Sequence, residues 1–244
     1  MHDRSRRVAA QISTAASSGG PAAGTLDEAA LPPDVPRANA DTVEPLAPGA
    51  VVLRRFAASI DAVLWQAVQQ IDAQAPFRHM ETPGGFTMAV AMTNCGALGW
   101  VTDRSGYRYD PRDPVSGAPW PPMPAPFRAL AVRAAAAAGF ARFDPDACLI
   151  NRYAPRARLS LHRDADERDY AQPIVSVSLG LPATFVFGGL KRADPGRRVP
   201  LEHGDVVVWG GPARMRYHGV LALKDGVDPL LGPQRINLTF RKAG

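Results

Sequence analysis

The sequence predicts an α+β domain that begins with two helices and continues as a β-sandwich or jelly roll. Apolar residues recur at helical spacing over 60–71, and a second helical stretch runs from about Pro126 to Ala138. Short strand-like segments punctuated by Gly and Pro then follow to the end of the chain. The chain has 244 residues, 46% of them hydrophobic, which is enough for one domain with a core.

Residues 1–50 differ in composition from the rest of the chain. They include six prolines and twelve alanines but no Phe, Trp or Tyr. Such a segment buries too little apolar surface to offset its ordering entropy, so we expect a disordered Ala/Pro-rich extension. This segment contains four of the 28 basic residues in the chain and six of the 23 acidic residues. Residues 51–244 therefore carry 24 basic against 17 acidic residues, and the folded part is the basic one.

Start and stop signals bound the two helices within the N-terminal segment 51–146. Ser59 is the predicted N-cap of the first helix, while Pro126 starts the second and Gly139 follows its end. Between them, residues 101–126 are rich in Pro, Gly, Asp and aromatics and indicate an irregular loop. One strand, 86–93, is predicted before that loop. The other predicted strands form the core segment 147–244: 147–153, 159–164, 173–180, 184–187, 205–209, 217–222 and 235–241. We expect 51–244 to fold as one unit.

The sequence shows neither a membrane span nor a secretion signal. The longest Ala-rich stretch is interrupted by Arg133, and no apolar h-region follows the basic N-terminus. Two cysteines are too few for a disulfide scaffold or a four-thiolate zinc site. We therefore expect a cytoplasmic, monomeric protein without a membrane partner.

Three of the five histidines are candidates for a metal site. His162 and Asp164 end a predicted strand, where positions i and i+2 share a face, and His218 lies on a later strand. The second His-x-Asp pair, at His203, precedes a strand and looks like a hairpin turn in which Gly204 supplies the bend. Two imidazoles and one carboxylate are the ligand set of non-haem Fe(II) oxygenases. Because zinc accepts the same ligands, the triad alone leaves the metal open.

The C-terminal strand alternates polar and apolar residues without exception. Arg235, Asn237, Thr239 and Arg241 share one face, and Ile, Leu and Phe share the other. This pattern fits an edge strand with a solvated face, but two arginines around an amide also make a clamp for a dicarboxylate. A 2-oxoacid could chelate iron at one end and meet Arg235 at the other. Asn151 and Tyr153, which alternate on their strand, would add hydrogen-bond donors.

From about residue 52 to the C-terminus, the sequence resembles the AlkB family of Fe(II)- and 2-oxoglutarate-dependent nucleic-acid dealkylases. The similar runs include Leu149-Ile150-Asn151-Arg152-Tyr153, Leu159-Ser160-Leu161-His162 with Asp164, the Phe187–Arg192 segment, and Arg235 onward. The resemblance implies a double-stranded β-helix, which is a jelly-roll variant, with a nucleotide-recognition lid before it. It also implies Fe(II), 2-oxoglutarate and O2 as the cofactor and co-substrates.

The resemblance also assigns roles to individual residues. His162, Asp164 and His218 would bind iron. Arg235 and Tyr153 would meet the distal carboxylate of 2-oxoglutarate, and Arg241 and Asn151 its chelating end, supported by Asn237. In the lid, Trp100 would stack on a flipped-out base whose other face meets His162. The remaining contacts to the substrate nucleotide would come from Tyr107, Thr82, Met88, Met92, Asp166 and Arg192.

The implied activity is oxidative demethylation of bases such as 1-methyladenine and 3-methylcytosine in single- or double-stranded DNA, or in RNA. These lesions are cationic, which suits an aromatic face and a carboxylate, and their methyl group is unreachable unless the base is flipped out. Arg163, Ala165 and Ile236 depart from the pattern of the bacterial repair enzymes without touching the triad. The alternatives are an oxygenase acting on tRNA bases or a small molecule, and a catalytically silent barrel that binds nucleic acid.

Overall fold

The computed structural model describes residues 43–244, which form two α-helices and fourteen β-strands. The elements are β1 (Val43–Ala47), β2 (Ala50–Leu53), α1 (Asp61–Gln74), β3 (Arg78–Glu81), β4 (Thr87–Gly96), β5 (Gly99–Asp103), β6 (Gly106–Asp110), α2 (Ala125–Ala137), β7 (Ala147–Tyr153), β8 (Leu159–His162), β9 (Ile174–Gly180), β10 (Ala183–Phe187), β11 (Arg197–Leu201), β12 (Val206–Trp209), β13 (His218–Val220) and β14 (Arg235–Arg241). Within this range, no helix is long and apolar enough to cross a membrane.

Two antiparallel sheets and a separate hairpin make up the β structure. The larger sheet has eight strands in the order β1-β2-β12-β9-β14-β7-β4-β3, and the smaller has four in the order β11-β10-β13-β8. β5 and β6 pair only with each other. Strands from before and after residue 147 share the larger sheet, so the described residues form one unit around it.

The larger sheet is covered on both faces. On one face α1 and α2 pack against alternate residues of β9, β12 and β14, including Val177, Val208 and Leu238, all fully buried. On the other face the smaller sheet contributes Phe185 and Phe187, which pack with Trp209 and Val207 of β12. Because the two sheets bury their facing sides against each other, the arrangement is the predicted jelly-roll core.

The strand and helix predictions hold for most of the chain, with corrections at element ends. β7 and β14 have the predicted bounds, and Gly139, with φ +90°, lies just beyond α2 as expected. Ser59 does not cap α1: Ile60 occupies that position, and no side chain makes a cap hydrogen bond. A short 3-10 turn over Ala58–Ile60 leads into the helix instead.

The predicted start of the folded part is wrong. Residues 43–50 belong to the hairpin β1–β2, in which β2 pairs with β12 in the larger sheet. Composition averaged over 1–50 concealed this hairpin because its strands have only five and four residues, and the second extends beyond residue 50. Residues 1–42 lie outside the described range, so the extension predicted there remains a prediction.

The region predicted as an irregular loop over 101–126 contains regular structure at its start. β5 and β6, with five residues each, form an antiparallel hairpin. Its turn ends at Gly106, whose φ is +123°. Such a φ is strained for any residue with a side chain, so this glycine permits the tight turn. β3 and β11 were also missed, and both are short strands at the edges of their sheets.

Candidate active site

Two neighbouring strands of the smaller sheet present the three predicted metal ligands together. His162 ends β8 and His218 begins β13, and the two residues are directly paired in register. Asp164 lies two residues beyond the end of β8, so the irregular segment after the strand, rather than the strand pleat, directs it to the same point. His162 Nε2 lies 3.8 Å from Asp164 Oδ1, and His218 Nε2 lies 3.9 Å from Asp164 Oδ2.

Both imidazoles are oriented so that Nε2 can bind a metal. His162 Nδ1 lies 2.8 Å from the carbonyl oxygen of Ser160, and His218 Nδ1 lies 3.1 Å from that of Arg216. A carbonyl only accepts, so Nδ1 carries the hydrogen and Nε2 keeps its lone pair. Burial lowers the pKa of His218 to about 4, aided by the charge of His162, so the ring is neutral at pH 7.

Asp164 is held ionised in a buried position. Arg241 donates to its Oδ2 from Nε (3.0 Å) and Nη2 (2.7 Å). Burial alone would raise the pKa of Asp164, but the charge of Arg241 and its hydrogen bonds hold it well below its ordinary value. Since the three candidate ligand atoms lie within 4.8 Å of one another, two neutral imidazoles and a carboxylate converge on one point.

The polar face of β14 points into the interior. β14 lies between β9 and β7 in the larger sheet, so the edge-strand interpretation is wrong. Arg235 is 1% exposed, and its guanidinium donates to Ser178 Oγ (2.7 Å) and the Leu181 carbonyl (3.4 Å), both neutral acceptors. Its Nε has no partner among the described residues. Burial lowers the pKa of Arg235 to about 10, which is the expected effect on a cation with no adjacent anion.

Neutral polar groups from β7 and β14 complete this surface. Tyr153 is paired in register with Arg235, and Asn151 with Asn237. Burial raises the pKa of Tyr153 to about 12, so its hydroxyl remains a neutral donor. Asn151 Oδ1 is buried without a partner among the described residues, and Asn237 is fixed by Ser176 Oγ at 2.8 Å. The buried cation of Arg235 beside the neutral phenol donor of Tyr153 fits one end of a dicarboxylate such as 2-oxoglutarate.

All of the site residues predicted from the sequence line one cavity of about 550 Å³. They are His162, Asp164 and His218; Asn151, Tyr153, Arg235, Asn237 and Arg241; and Thr82, Met88, Met92, Trp100, Tyr107, Asp166 and Arg192. His203 does not line it, because His203-Gly204-Asp205 is the predicted turn, with Gly204 at φ +85°. His203 accepts from the Gly180 N–H and contacts Asp61.

The lid hairpin β5–β6 closes one side of the cavity with aromatic rings. Trp100 stacks on Tyr107, with ring centroids 5.7 Å apart and planes 19° apart. The indole Nε1–H of Trp100 donates to Asp166 Oδ2 at 2.8 Å. Trp100 and Asp166, two of the residues predicted to contact the substrate nucleotide, are therefore hydrogen-bonded to each other. The second carboxylate oxygen of Asp166, Oδ1, is left available to a ligand.

Buried residues that the sequence analysis missed hold these groups in place. Asn94 exchanges two hydrogen bonds of 3.0 Å with the backbone of Trp100. A Cβ at Gly99 would lie 2.4 Å from the Trp120 ring, so only glycine lets β5 approach it. Nothing local in the sequence around Asn94 reveals its hydrogen bonds to Trp100.

A buried ionic network links the lid to the candidate metal site. Tyr109 of β6 donates to Glu167 Oε1 at 2.7 Å, and Arg214 donates to Glu167 Oε2 at 2.9 Å. Glu167 Oε1 also lies 3.2 Å from Arg241 Nε, the group that binds Asp164. The side chains of Glu167, Arg214 and Arg241 are each less than a tenth exposed. Because its partners come from β6, β14 and the segment before β13, spacing could not identify this network.

Comparisons with known proteins identify the family. The family model described as the 2OG-Fe(II) oxygenase superfamily matches residues 49–241. The chain is 62% identical over 200 residues to the alpha-ketoglutarate-dependent dioxygenase AlkB of Salmonella typhimurium, covering 82% of this chain and 93% of that protein. The Escherichia coli protein of the same name is also 62% identical, with the same coverage.

A solved structure gives the same result. The structure of OsALKBH1 superposes with a TM-score of 0.73 at 30% identity, covering 82% of this chain and 99% of that one. It shares the jelly-roll core described above. The chain therefore belongs to the 2OG-Fe(II) oxygenase superfamily, as an AlkB-type dioxygenase that uses Fe(II), 2-oxoglutarate and O2.

Proposed function

We propose that this protein demethylates N-alkylated bases such as 1-methyladenine and 3-methylcytosine in DNA, single- or double-stranded, and in RNA. The observation that carries the proposal is that one cavity joins three parts: the His162-Asp164-His218 cluster, the buried Arg235 with no carboxylate partner, and the Trp100 lid. Relatives named as nucleic acid dioxygenases, such as ALKBH1 of Mus musculus, support this substrate class.

In this proposal, the residues of the two sheets hold the cofactor and co-substrate. His162, Asp164 and His218 hold Fe(II) through Nε2, a carboxylate oxygen and Nε2. Arg235 and Tyr153 bind the distal carboxylate of 2-oxoglutarate. Arg241 and Asn151, supported by Asn237, face its chelating end. When bound, iron with O2 and 2-oxoglutarate supplies an oxidant strong enough to hydroxylate an N-methyl group.

The overall reaction balances as one O2 and one 2-oxoglutarate per methyl group. One oxygen atom enters succinate as CO2 leaves, and the other enters the methyl group to form an N-hydroxymethyl base. That hemiaminal releases formaldehyde, and the ring nitrogen regains its unmodified form. No side chain has to act as a nucleophile, so the chain's own residues bind, orient and shield the reacting groups.

The lid selects and shields the alkylated base. Trp100 supplies a stacking face and Tyr107 supports it, since their rings are already parallel within 19°. Asp166 balances the positive charge that alkylation places on adenine or cytosine. Met88 and Met92 supply an apolar wall next to the base, and Thr82 and Arg192, which also line the cavity, contact the nucleotide. A base held in this way must first leave the helix, which costs least for a lesion that cannot pair.

The test is a mass-spectrometric assay of methylated single- and double-stranded DNA and RNA oligonucleotides with the full chain, Fe(II) and 2-oxoglutarate. We expect restored base, formaldehyde and succinate in equal amounts, and none of them from Asp164→Ala, whose fold is checked by circular dichroism. Trp100→Ala should lose base repair and keep uncoupled 2-oxoglutarate decarboxylation. Succinate formation by the wild type without repair of any methylated base would refute the proposal and favour a small-molecule substrate.

A further inference from the structure

The imidazole of His203 completes the hydrogen-bond ladder at the end of β9. Gly204 N–H donates to the Ser178 carbonyl at 2.8 Å, and Ser178 N–H donates to the Asp205 carbonyl at 2.9 Å. Two residues further along β9, Gly180 N–H donates to His203 Nδ1 at 2.9 Å. The ring nitrogen takes the place that a backbone carbonyl has in an ordinary ladder, so the buried Gly180 N–H depends on it.

The same end of β9 holds the guanidinium of Arg235. Arg235 is paired in register with Gly180, and its two acceptors, Ser178 Oγ and the Leu181 carbonyl, lie on either side of that glycine along the chain. A Cβ on Gly180 would lie 2.4 Å from the Gln234 carbonyl oxygen, so β9 and β14 are in close contact here. Because of this close contact, a shift of the Gly180 backbone also moves the groups that orient Arg235.

Asp61, the first residue of α1, fixes which nitrogen of His203 carries the hydrogen. Its Oδ2 lies 3.0 Å from His203 Nε2. A carboxylate only accepts, so Nε2 carries the hydrogen and Nδ1 keeps the lone pair that accepts from Gly180. The neutral ring therefore satisfies both neighbours in a single tautomer.

A second carboxylate faces the nitrogen that lacks a hydrogen. Asp228 Oδ2, in the loop between β13 and β14, lies 3.6 Å from His203 Nδ1, and only 11% of the Asp228 side chain is exposed. Neither atom can donate while the ring is neutral. Once Nδ1 is protonated, it no longer accepts from Gly180, and Asp228 is the acceptor next to it. Protonation therefore exchanges the bond that supports β9 for one to a loop.

Charged groups of the same turn and of β14 also lie near the histidine. Asp205 accepts from Arg54 Nη1 at 2.7 Å and from the N–H groups of Arg55 and Glu202 at 2.9 Å each, so its carboxylate is already engaged. Glu202 is exposed. On β14 the charged group beside Gly180 is Arg235 itself.

We propose that His203 is a positioning residue for 2-oxoglutarate: its neutral imidazole holds the end of β9 so that Arg235 meets the distal carboxylate, and protonation releases this support. The inference rests on the proposed function, in which Arg235 anchors that carboxylate. Histidine is the side chain whose charge ordinarily changes between about pH 5 and 8. The 2-oxoglutarate affinity is therefore highest where Nδ1 accepts, at the alkaline end of this range, and falls as the pH falls.

The test measures 2-oxoglutarate affinity by calorimetric titration of the full chain with saturating Mn(II), from about pH 5.5 to 8. His203→Asn keeps an acceptor near the position of Nδ1 that does not titrate, whereas His203→Leu removes the acceptor. His79→Asn is the matched control, because His79 Nδ1 also contacts a backbone group, the Met88 carbonyl at 2.8 Å, but His79 does not line the cavity. Titration of the metal ligands is common to all four proteins.

A buried N–H left without a partner corresponds to about 5- to 150-fold in an equilibrium constant. Between the two ends of the pH range, we expect the wild-type affinity to fall at least about fivefold more than that of His203→Asn. At the alkaline end, His203→Asn should bind like the wild type and His203→Leu at least about fivefold more weakly. His79→Asn should follow the wild type throughout.

Nuclear magnetic resonance of the isotope-labelled, metal-free protein gives a readout that does not depend on ligand. The Gly180 amide proton should move upfield as the pH falls in the wild type, because it loses its acceptor, and should stay constant in His203→Asn. This measurement also keeps the inference testable if His203→Leu does not fold.

Four outcomes would overturn the inference: equal pH dependence in the wild type and His203→Asn, loss of that dependence in His79→Asn, equal affinity of His203→Asn and His203→Leu at the alkaline end, or a Gly180 amide that does not respond to pH. Failure of the proposed function is distinct from these. It would appear as wild-type 2-oxoglutarate affinity in Arg235→Met, whatever the behaviour of the His203 variants.

Discussion

Replacing Arg235 with methionine should weaken 2-oxoglutarate binding and, at the same time, stabilise the protein without ligand. The two effects have opposite signs because this buried cation has only neutral protein partners and an unpaired Nε. An apolar side chain of similar length fills the same space without the cost of burying a charge. In the proposed function, the carboxylate of the co-substrate balances this charge when it binds.

The size of each effect can be estimated. Lowering the pKa of Arg235 from 12.5 to about 10 corresponds to about 3 kcal/mol against its charged form. Loss of the hydrogen bonds to Ser178 and Leu181 offsets about 1–2 kcal/mol of this cost. The free energy of unfolding of Arg235→Met should therefore exceed that of the wild type by about 1–2 kcal/mol. That raises Tm by about 2–8 °C for a chain of this length. Loss of even one charge-assisted hydrogen bond of about 1.5–3 kcal/mol weakens 2-oxoglutarate binding by roughly 10- to 150-fold.

Two measurements check this prediction on the same preparation. Urea denaturation without metal gives the free energy of unfolding, and calorimetric titration of the Mn(II)-loaded protein gives the 2-oxoglutarate affinity. Arg152→Met is the matched control, because Arg152 is on the neighbouring strand β7 but lies over the Phe77 ring, 4.3 Å from its centroid. The control should bind 2-oxoglutarate normally. Wild-type 2-oxoglutarate affinity in Arg235→Met, or a marked loss of stability, would show that the guanidinium has another role.

Three further predictions concern Trp100 in the lid, Glu167 in the buried ionic network and the hydroxyl group of Tyr153. Trp100→Phe keeps a stacking face and frees Asp166, so KM for a 1-methyladenine oligonucleotide should stay near wild type, whereas Trp100→Ala should lose about 1–3 kcal/mol of stacking. Glu167→Gln leaves the buried Arg241 with less compensation and should destabilise the protein by about 3–5 kcal/mol in urea denaturation. The pKa of Tyr153 is raised from 10 to about 12, so native stability contributed by its neutral form is complete below pH 10 and falls by about 3 kcal/mol as pH rises to 12. Tyr153→Phe should lack this fall, and equal pH dependence in both proteins would refute the assignment.

The sequence predicted the parts of the site that follow from strand periodicity. Alternation along β14 correctly placed Arg235 and Asn237 on one face, because a strand surrounded by partners keeps its pleat. The same alternation placed Asn151 and Tyr153 on one face of β7, and the strand register pairs them with Asn237 and Arg235. His162 and Asp164 were predicted together for a reason that proved incomplete, since β8 ends at His162 and Asp164 lies in the irregular segment after it.

The remaining features depend on contacts between distant segments, which local pattern does not encode. The Trp100–Asp166 hydrogen bond joins residues 66 positions apart, and the Arg241–Asp164 pair joins residues 77 apart. The β1–β2 hairpin is short, and it is stable only because β12 completes its sheet. The sequence therefore identified the chemistry of the site more fully than the contacts that hold it.

The cavity divides its chemistry between the two sheets, and this division determines which distant residues affect activity. The metal histidines lie on the smaller sheet, whereas Arg235 lies on the larger one. The distance available to 2-oxoglutarate between them is therefore set by how the sheets pack. Trp209 of the larger sheet contacts His218 with ring centroids 4.8 Å apart, and Phe185 of the smaller sheet lies 6.1 Å from Trp209. A smaller residue at Phe185, which also lines the cavity, would let the sheets move closer, so it should weaken 2-oxoglutarate binding in a calorimetric titration of the Mn(II)-loaded protein.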